Sequence, residues 1–156
     1  MREMKNLLLV LHTPSDNTQR LAEVAKSATQ LADIDNVTVI VKIPLQTQVE
    51  DVLKADAIII GTTENFGYMA GLTKDFFERI YYPVLEQKQG LPVACYIRAG
   101  LDGTGSKRAV ESIVTGLRWR WIQPPLVLKG EWSGAFDEQV AELTMAVCAG
   151  LSLSIL

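Results

Sequence analysis

The run Leu7-Leu8-Leu9-Val10-Leu11 constrains this chain more than any other feature. A strand with one face in water alternates apolar and polar residues. An unbroken apolar run calls for cover on both faces, which is the condition of a strand inside a parallel sheet flanked by helices. The segments that follow keep to that plan. Leu21, Val24, Ala25, Ala28, Leu31 and Ala32 recur at helical spacing. Asn36–Ile43 is rich in β-branched residues and stops at Pro44. A short helix fits Gln48–Lys54. Ala57–Ile60 reads as a third strand closed by Gly61, and Gly71–Ile80 as a helix with Leu72, Phe76 and Ile80 on one face. Tyr81, Tyr82 and Pro83 are expected to end that helix. Pro92–Ile97 is a fourth strand. Val110, Ile113, Val114 and Leu117 mark another helix, and Leu126–Leu128 fits a fifth strand after Pro124-Pro125. A last helix is expected from about Asp137, with Val140, Leu143, Val147 and Leu151 along one face.

Five βα units imply an α/β, doubly wound, three-layer domain with a five-stranded parallel sheet, in the order 2-1-3-4-5. Periodicity alone fits a response-regulator domain equally well. The 156 residues hold no repeat, linker or low-complexity stretch, so one domain spans 1–156. A chain of that length buries enough surface to fold without disulfide or metal. Lys plus Arg number 15 and Asp plus Glu 18, a net charge of −3, which argues against a nucleic-acid partner. Cys95 and Cys148 lie among apolar neighbours and read as buried thiols. His12 is the one histidine, so a zinc site is not expected. Leu7–Leu11 is too short for a secretory signal core. Leu143–Leu156, the longest uncharged apolar stretch, is too short for a membrane span and reads as a buried terminal helix. A cytoplasmic location with no membrane partner follows as an expectation.

In doubly wound sheets ligands bind beyond the carboxyl ends of the strands, where the strand order reverses. That rule selects three loops: His12–Thr18, Gly61–Gly71 and Ala99–Gly105. In the first, Thr13, Ser15 and Thr18 bring hydroxyls to the start of a helix, where free amides and the helix dipole favour an anion. The loop has no lysine, so it is no Walker loop. The plainer alternative is an N-cap supplied by Asp16 or Asn17.

Thr13-Pro14-Ser15-Asp16-Asn17-Thr18 resembles the flavodoxin phosphate loop, usually Thr/Ser-x-Thr/Ser-Gly-Asn-Thr. The resemblance implies a flavodoxin-like fold and an FMN phosphate held by Thr13, Ser15, Asn17 and Thr18. Asp16 replaces the family's glycine. At ~7 Å and an effective dielectric of ~20 its charge would repel a phosphate by roughly 2 kcal/mol. One hydrogen bond to a charged group returns roughly 1.5–3 kcal/mol, so an outward-turned Asp16 weakens such a site without abolishing it.

Ala55-Asp56-Ala57-Ile58-Ile59-Ile60-Gly61-Thr62-Thr63-Glu64-Asn65-Phe66-Gly67-Tyr68-Met69-Ala70-Gly71 is similar to the flavin-wrapping stretch of FMN-dependent NAD(P)H:quinone reductases. The similarity assigns the ring's surroundings to Thr63, Glu64, Asn65, Phe66 and Gly67. Thr63 stands where the family has proline, and Tyr68 where it has asparagine. In the third loop the family places Ala99, Gly100 and Gly103 under the pyrimidine end. The alternative there is a turn, with Thr104 or Ser106 capping the next helix.

The resemblance implies an FMN flavoprotein, with NADH or NADPH as electron donor and a quinone or similar small molecule as acceptor. The chemistry belongs to the cofactor, so no catalytic side chain is expected. A one-electron carrier like flavodoxin, or a relative that has lost FMN, are the competing readings. A response regulator would need an acidic pair after strand one and an aspartate after strand three, where this chain has His12-Thr13 and Gly61-Thr62. Arg98 is expected in a surface ion pair, with a reach toward the flavin as the alternative. Trp119, Arg120 and Trp121 suit either the core or a homo-oligomer interface.

Overall fold

The computed structural model describes residues 3–31 and 33–156. Ala32, which the periodicity assigns to the first helix, lies outside them. The chain runs β1 (Lys5–Leu11), α1 (Asp16–Leu31), β2 (Val37–Lys42), a 3-10 turn (Pro44–Gln46), α2 (Val49–Leu53), β3 (Ala57–Asn65) and β4 (Tyr68–Met69). It continues through α3 (Gly71–Leu85), β5 (Pro92–Ala99), α4 (Thr104–Leu117), β6 (Arg120–Trp121), β7 (Leu126–Lys129) and α5 (Ala135–Ser152). β2, β1, β3 and β5 are parallel neighbours in that order. β6 and β7 both pair in parallel with β5, on its Pro92–Val93 and Tyr96–Ala99 segments. The expected order 2-1-3-4-5 is therefore present, with its fifth position filled by a strand broken at Ile122–Pro125.

Alternation along the strands divides the core into two layers. Leu8, Val10, Ile58, Ile60, Val93 and Ile97 pack with Phe76, Phe77 and Ile80 of α3 and Val110 and Val114 of α4. Leu7, Leu9, Leu11, Ile59 and Tyr96 pack with Leu21 and Ala25 of α1 and Val140, Leu143 and Val147 of α5. The run Leu7–Leu11 thus feeds both layers in turn, and each fully buried side chain contributes roughly 1.5–3 kcal/mol. Both cysteines are buried and unbridged.

Several expectations need correction. Gly61 does not close the third strand; β3 runs on to Asn65. The glycine is there because Tyr96 of β5 lies over it: an added Cβ would sit 2.4 Å from the Tyr96 ring. Pro83 does not end α3, which continues to Leu85. Tyr81 instead lays its hydroxyl against Gly116 of α4, where no Cβ would fit. Trp119 is core, its ring 6.3 Å from that of Phe77, and β6 beside it was not foreseen. The last helix begins at Ala135 and ends at Ser152, leaving Leu153 and Ile155 exposed.

Candidate functional site

β1, β3 and β5 lie side by side, so the three loops beyond their carboxyl ends are neighbours. The first loop is joined to β3 by the His12 amide, which donates to the Gly61 carbonyl at 2.9 Å. Burial lowers the His12 imidazole below its ordinary value, so the ring is neutral at pH 7.

The helix cap in this loop is Ser15, in place of Asp16 or Asn17. Its Oγ accepts from the Thr18 amide at 3.3 Å, and the Ser15 amide donates to Thr18 Oγ1 at 2.9 Å. This reciprocal pair is a capping box with a hydroxyl at its third position. The Thr18 hydroxyl also donates to the Ser15 carbonyl at 2.9 Å, and Gln19 closes the first turn on the same carbonyl. The box leaves the amides of Asp16 and Asn17 without an acceptor among the described residues, at the positive end of a sixteen-residue helix. The side chains of Thr13 and Asn17 make no hydrogen bond among the described residues. Asp16 is exposed and lines a groove beside α1 together with Thr13, Gln19, Arg20 and Gln46.

The second loop is largely a hairpin. β4 pairs antiparallel with the end of β3, Glu64 opposite Met69 and Asn65 opposite Tyr68. Phe66 (φ 55°) and Gly67 (φ 75°) form the two-residue turn, both at the positive φ that a type I′ turn requires. Glycine accepts that geometry freely, whereas an aromatic residue is strained there. Phe66 is also the most exposed apolar side chain described, at 107% relative accessibility. The hairpin base is fixed by Thr62 Oγ1, which shares a 2.8 Å hydrogen bond with Thr73 of α3 and accepts weakly from the Ala70 amide. Thr63 donates to the Asn65 side chain at 2.7 Å.

The third loop meets the hairpin directly. Ser106 donates to the Tyr68 carbonyl at 2.8 Å instead of capping α4. A Cβ at Gly105 would lie 1.7 Å from the Gly67 carbonyl oxygen. Gly103 (φ 69°) is the N-cap, and its missing Cβ makes room for Val127 of β7. The Thr104 amide is served by Asp102, not by a Thr104 or Ser106 side chain. Ala99 is buried, and its carbonyl is taken by Arg98 and Gly130; Gly100 and Leu101 are exposed.

The structure therefore brings all the sequence-derived positions to one edge of the sheet. Thr13, Ser15, Asn17 and Thr18 form one end. Thr63, Glu64, Asn65, Phe66 and Gly67 lie in the hairpin, and Ala99, Gly100 and Gly103 in the third loop that meets it. Ala99 and Gly103 shape that loop from within rather than presenting a group. The Ser106 contact was missed as a contributor, and Gly105, one of the three glycines read as room for a ring, instead makes room for the Gly67 carbonyl. The three loops carry Asp16, Glu64 and Asp102 but no lysine or arginine, so an anion here relies on amides and hydroxyls. Arg98 makes no ion pair among the described residues, contrary to expectation. Its guanidinium faces three carbonyls and two aromatic rings. No group of three His, Cys, Asp or Glu suited to a metal occurs among the described residues, and none of their helices is long and apolar enough to cross a membrane.

No protein-family model matches the chain. It is 30% identical over 115 residues to a flavodoxin of Aquifex aeolicus (strain VF5); the match takes in 73% of this chain and 60% of that protein's length. Among solved structures, a flavodoxin from the domain Archaea superposes with TM-score 0.77 at 19% identity, over 95% of this chain and 99% of that one. Rubredoxin oxygen:oxidoreductase from the anaerobe Desulfovibrio gigas superposes with TM-score 0.79 at 14% identity, over 99% of this chain and 38% of that one. The chain has the flavodoxin-like fold.

Proposed function

We propose that this flavodoxin-like domain holds FMN and works as an NAD(P)H-dependent oxidoreductase. The observation that carries the cofactor reading is the pairing of two kinds of surface at one sheet edge. One is a helix N-terminus with two unused amides amid hydroxyls; the other is a strained, fully exposed aromatic turn locked to a glycine-rich wall. The residues fit the group. The Asp16 and Asn17 amides, with the side chains of Thr13, Ser15 and Asn17, would hold the phosphate, and Thr18, its hydroxyl proton committed to the Ser15 carbonyl, would hold the cap that shapes the seat. Phe66, Gly67 and the Thr63–Asn65 backbone would meet the ring, with Gly100 at the open part of the far wall. When bound, FMN supplies hydride acceptance and electron release, and the protein orients it.

The reductase reading is supported by the asymmetry of the ring's surroundings. Phe66 and Tyr68 stand on one lip, while the third loop presents no aromatic side chain, only Leu101. A ring held from one side leaves a face for a nicotinamide and then for a quinone or similar acceptor. The 30% likeness to a flavodoxin favours the second reading, a one-electron carrier. A visible spectrum of the purified protein after FMN addition tests the cofactor; absence of flavin bands and of fluorescence quenching would overturn it. NADH and NADPH oxidation with quinone acceptors tests the reductase, and the FMN-loaded protein is expected to turn over with at least one of them.

A further inference from the structure

We infer that Arg98 is a positioning residue that builds the third loop from behind the sheet. This rests on the reading of that loop as the wall of a flavin site. Arg98 is the penultimate residue of β5, and its side chain lies on the layer shared with α5. The guanidinium carbon sits 5.0 Å from the Phe136 ring and 5.9 Å from that of Trp132. Nη1 donates to the carbonyls of Ala99 at 2.6 Å and Leu128 at 3.0 Å, and Nη2 to that of Gly130 at 2.7 Å. The Gly130 amide returns to the Ala99 carbonyl at 2.9 Å.

These acceptors explain why an arginine is needed. β7 has four residues and, among the described residues, pairs with β5 alone, and the ladder ends at Ala99 opposite Lys129. The third loop leaves from Ala99 and returns at Gly103, which packs on Val127 of β7. Both ends of the loop thus rest on a short edge strand at the point where its ladder runs out. The Arg98 fork ties β5 to β7 just there, reaching one carbonyl of the loop, one within β7 and one beyond it. A planar guanidinium can serve three carbonyls while stacked on an aromatic face; an ammonium on a flexible stem cannot keep that geometry. No carboxylate competes for the fork among the described residues, so its donors go to the backbone.

The test uses Arg98→Lys and Arg98→Met in the whole protein. In the ligand-free variants, amide hydrogen exchange should quicken about tenfold at 128–130, where the amides lie in the β5–β7 ladder or bond the Ala99 carbonyl, the worth of roughly 1.4 kcal/mol, with no change at 15–19. Affinity for riboflavin, which lacks the phosphate, should fall about tenfold. The ratio of FMN to riboflavin affinity should stay at its wild-type value, because the first loop is untouched. Exchange at 128–130 unchanged in both variants would overturn the inference. So would exchange rising equally at the first loop, which marks a merely structural role. If the wild type binds neither FMN nor riboflavin, the cofactor reading fails, and the exchange pattern still decides what Arg98 does.

Discussion

The two ends of the candidate site are built by different physics. Beyond its root, where the His12 amide bonds the Gly61 carbonyl, the first loop is a local object: the bonds from Ser15 onward join residues three or four apart, Ser15 with Thr18 and Gln19. The ring side is assembled from afar. Its hairpin is held by Thr73 of α3, by Ser106 and by the bare backbone of Gly105, and its far wall by Val127 and Arg98. A local seat survives small shifts of the domain, whereas an assembled one depends on every element that meets there. Damage to the ring side should therefore spread into stability, while damage to the first loop should stay specific to phosphate.

Gly105→Ala would break the comparison most severely. Its methyl would fall 1.7 Å from the Gly67 oxygen, backbone against backbone, so the hairpin or α4 must move. Overpacking of this kind costs about 1–3 kcal/mol, and the upper end applies because no flexible side chain can yield. Urea unfolding should show about 3 kcal/mol lost, and riboflavin affinity should drop by tenfold or more. Wild-type riboflavin binding in a folded variant would mean that the hairpin–α4 contact does not shape the ring side.

The double substitution Ser15→Ala with Thr18→Val is the counterpart. It removes the capping box, worth about 1 kcal/mol of stability. It also removes the Ser15 hydroxyl, the one of the pair whose proton is not committed to the Ser15 carbonyl, worth about 2 kcal/mol or thirtyfold in FMN affinity. Riboflavin titration should be unchanged. A parallel loss of riboflavin affinity would show that the two ends are not separable.

This division sets what could be read in the residues alone. The strand–helix alternation and the strand order were legible because Leu7–Leu11 and Ala57–Ile60 declare burial on both faces. The start of α1 was legible for the same local reason, its hydroxyls lying within one helical turn, although the cap is Ser15 and not Asp16 or Asn17. The hairpin was not, because Gly61 looks like a strand end until Tyr96 is seen lying across it. Nor was the duty of Arg98, whose partners are up to thirty-two positions away. Pro83 misled because a proline inside a helix removes one hydrogen bond but need not stop a helix packed on both β3 and α4.

Phe66→Gly probes strain within the ring side. Relieving a left-handed non-glycine residue should stabilise the protein by about 1 kcal/mol, offset in part by the glycine's greater unfolded-state freedom. Riboflavin affinity should fall by a similar amount, about fivefold. A variant both less stable and unchanged in riboflavin binding would remove the functional account of that exposed ring.

Asp16→Asn carries the smallest expected effect and tests the first loop's independence most finely. The carboxylate belongs to the exposed first residue of α1, which lines the groove with Thr13, Gln19, Arg20 and Gln46. In a water-like dielectric a phosphate charge ~7 Å away feels about 0.6 kcal/mol of repulsion, and a Debye length of about 8 Å at physiological salt reduces that further. The same charge favours the helix N-terminus by about 0.3–1 kcal/mol. The variant should therefore bind FMN about twofold more tightly at low salt and unfold slightly more easily. The gain in affinity should vanish at high salt, while riboflavin affinity stays constant throughout. A tenfold loss of FMN affinity would instead mean that the Asp16 carboxylate supports the loop itself, and that the seat is less local than its hydrogen bonds make it.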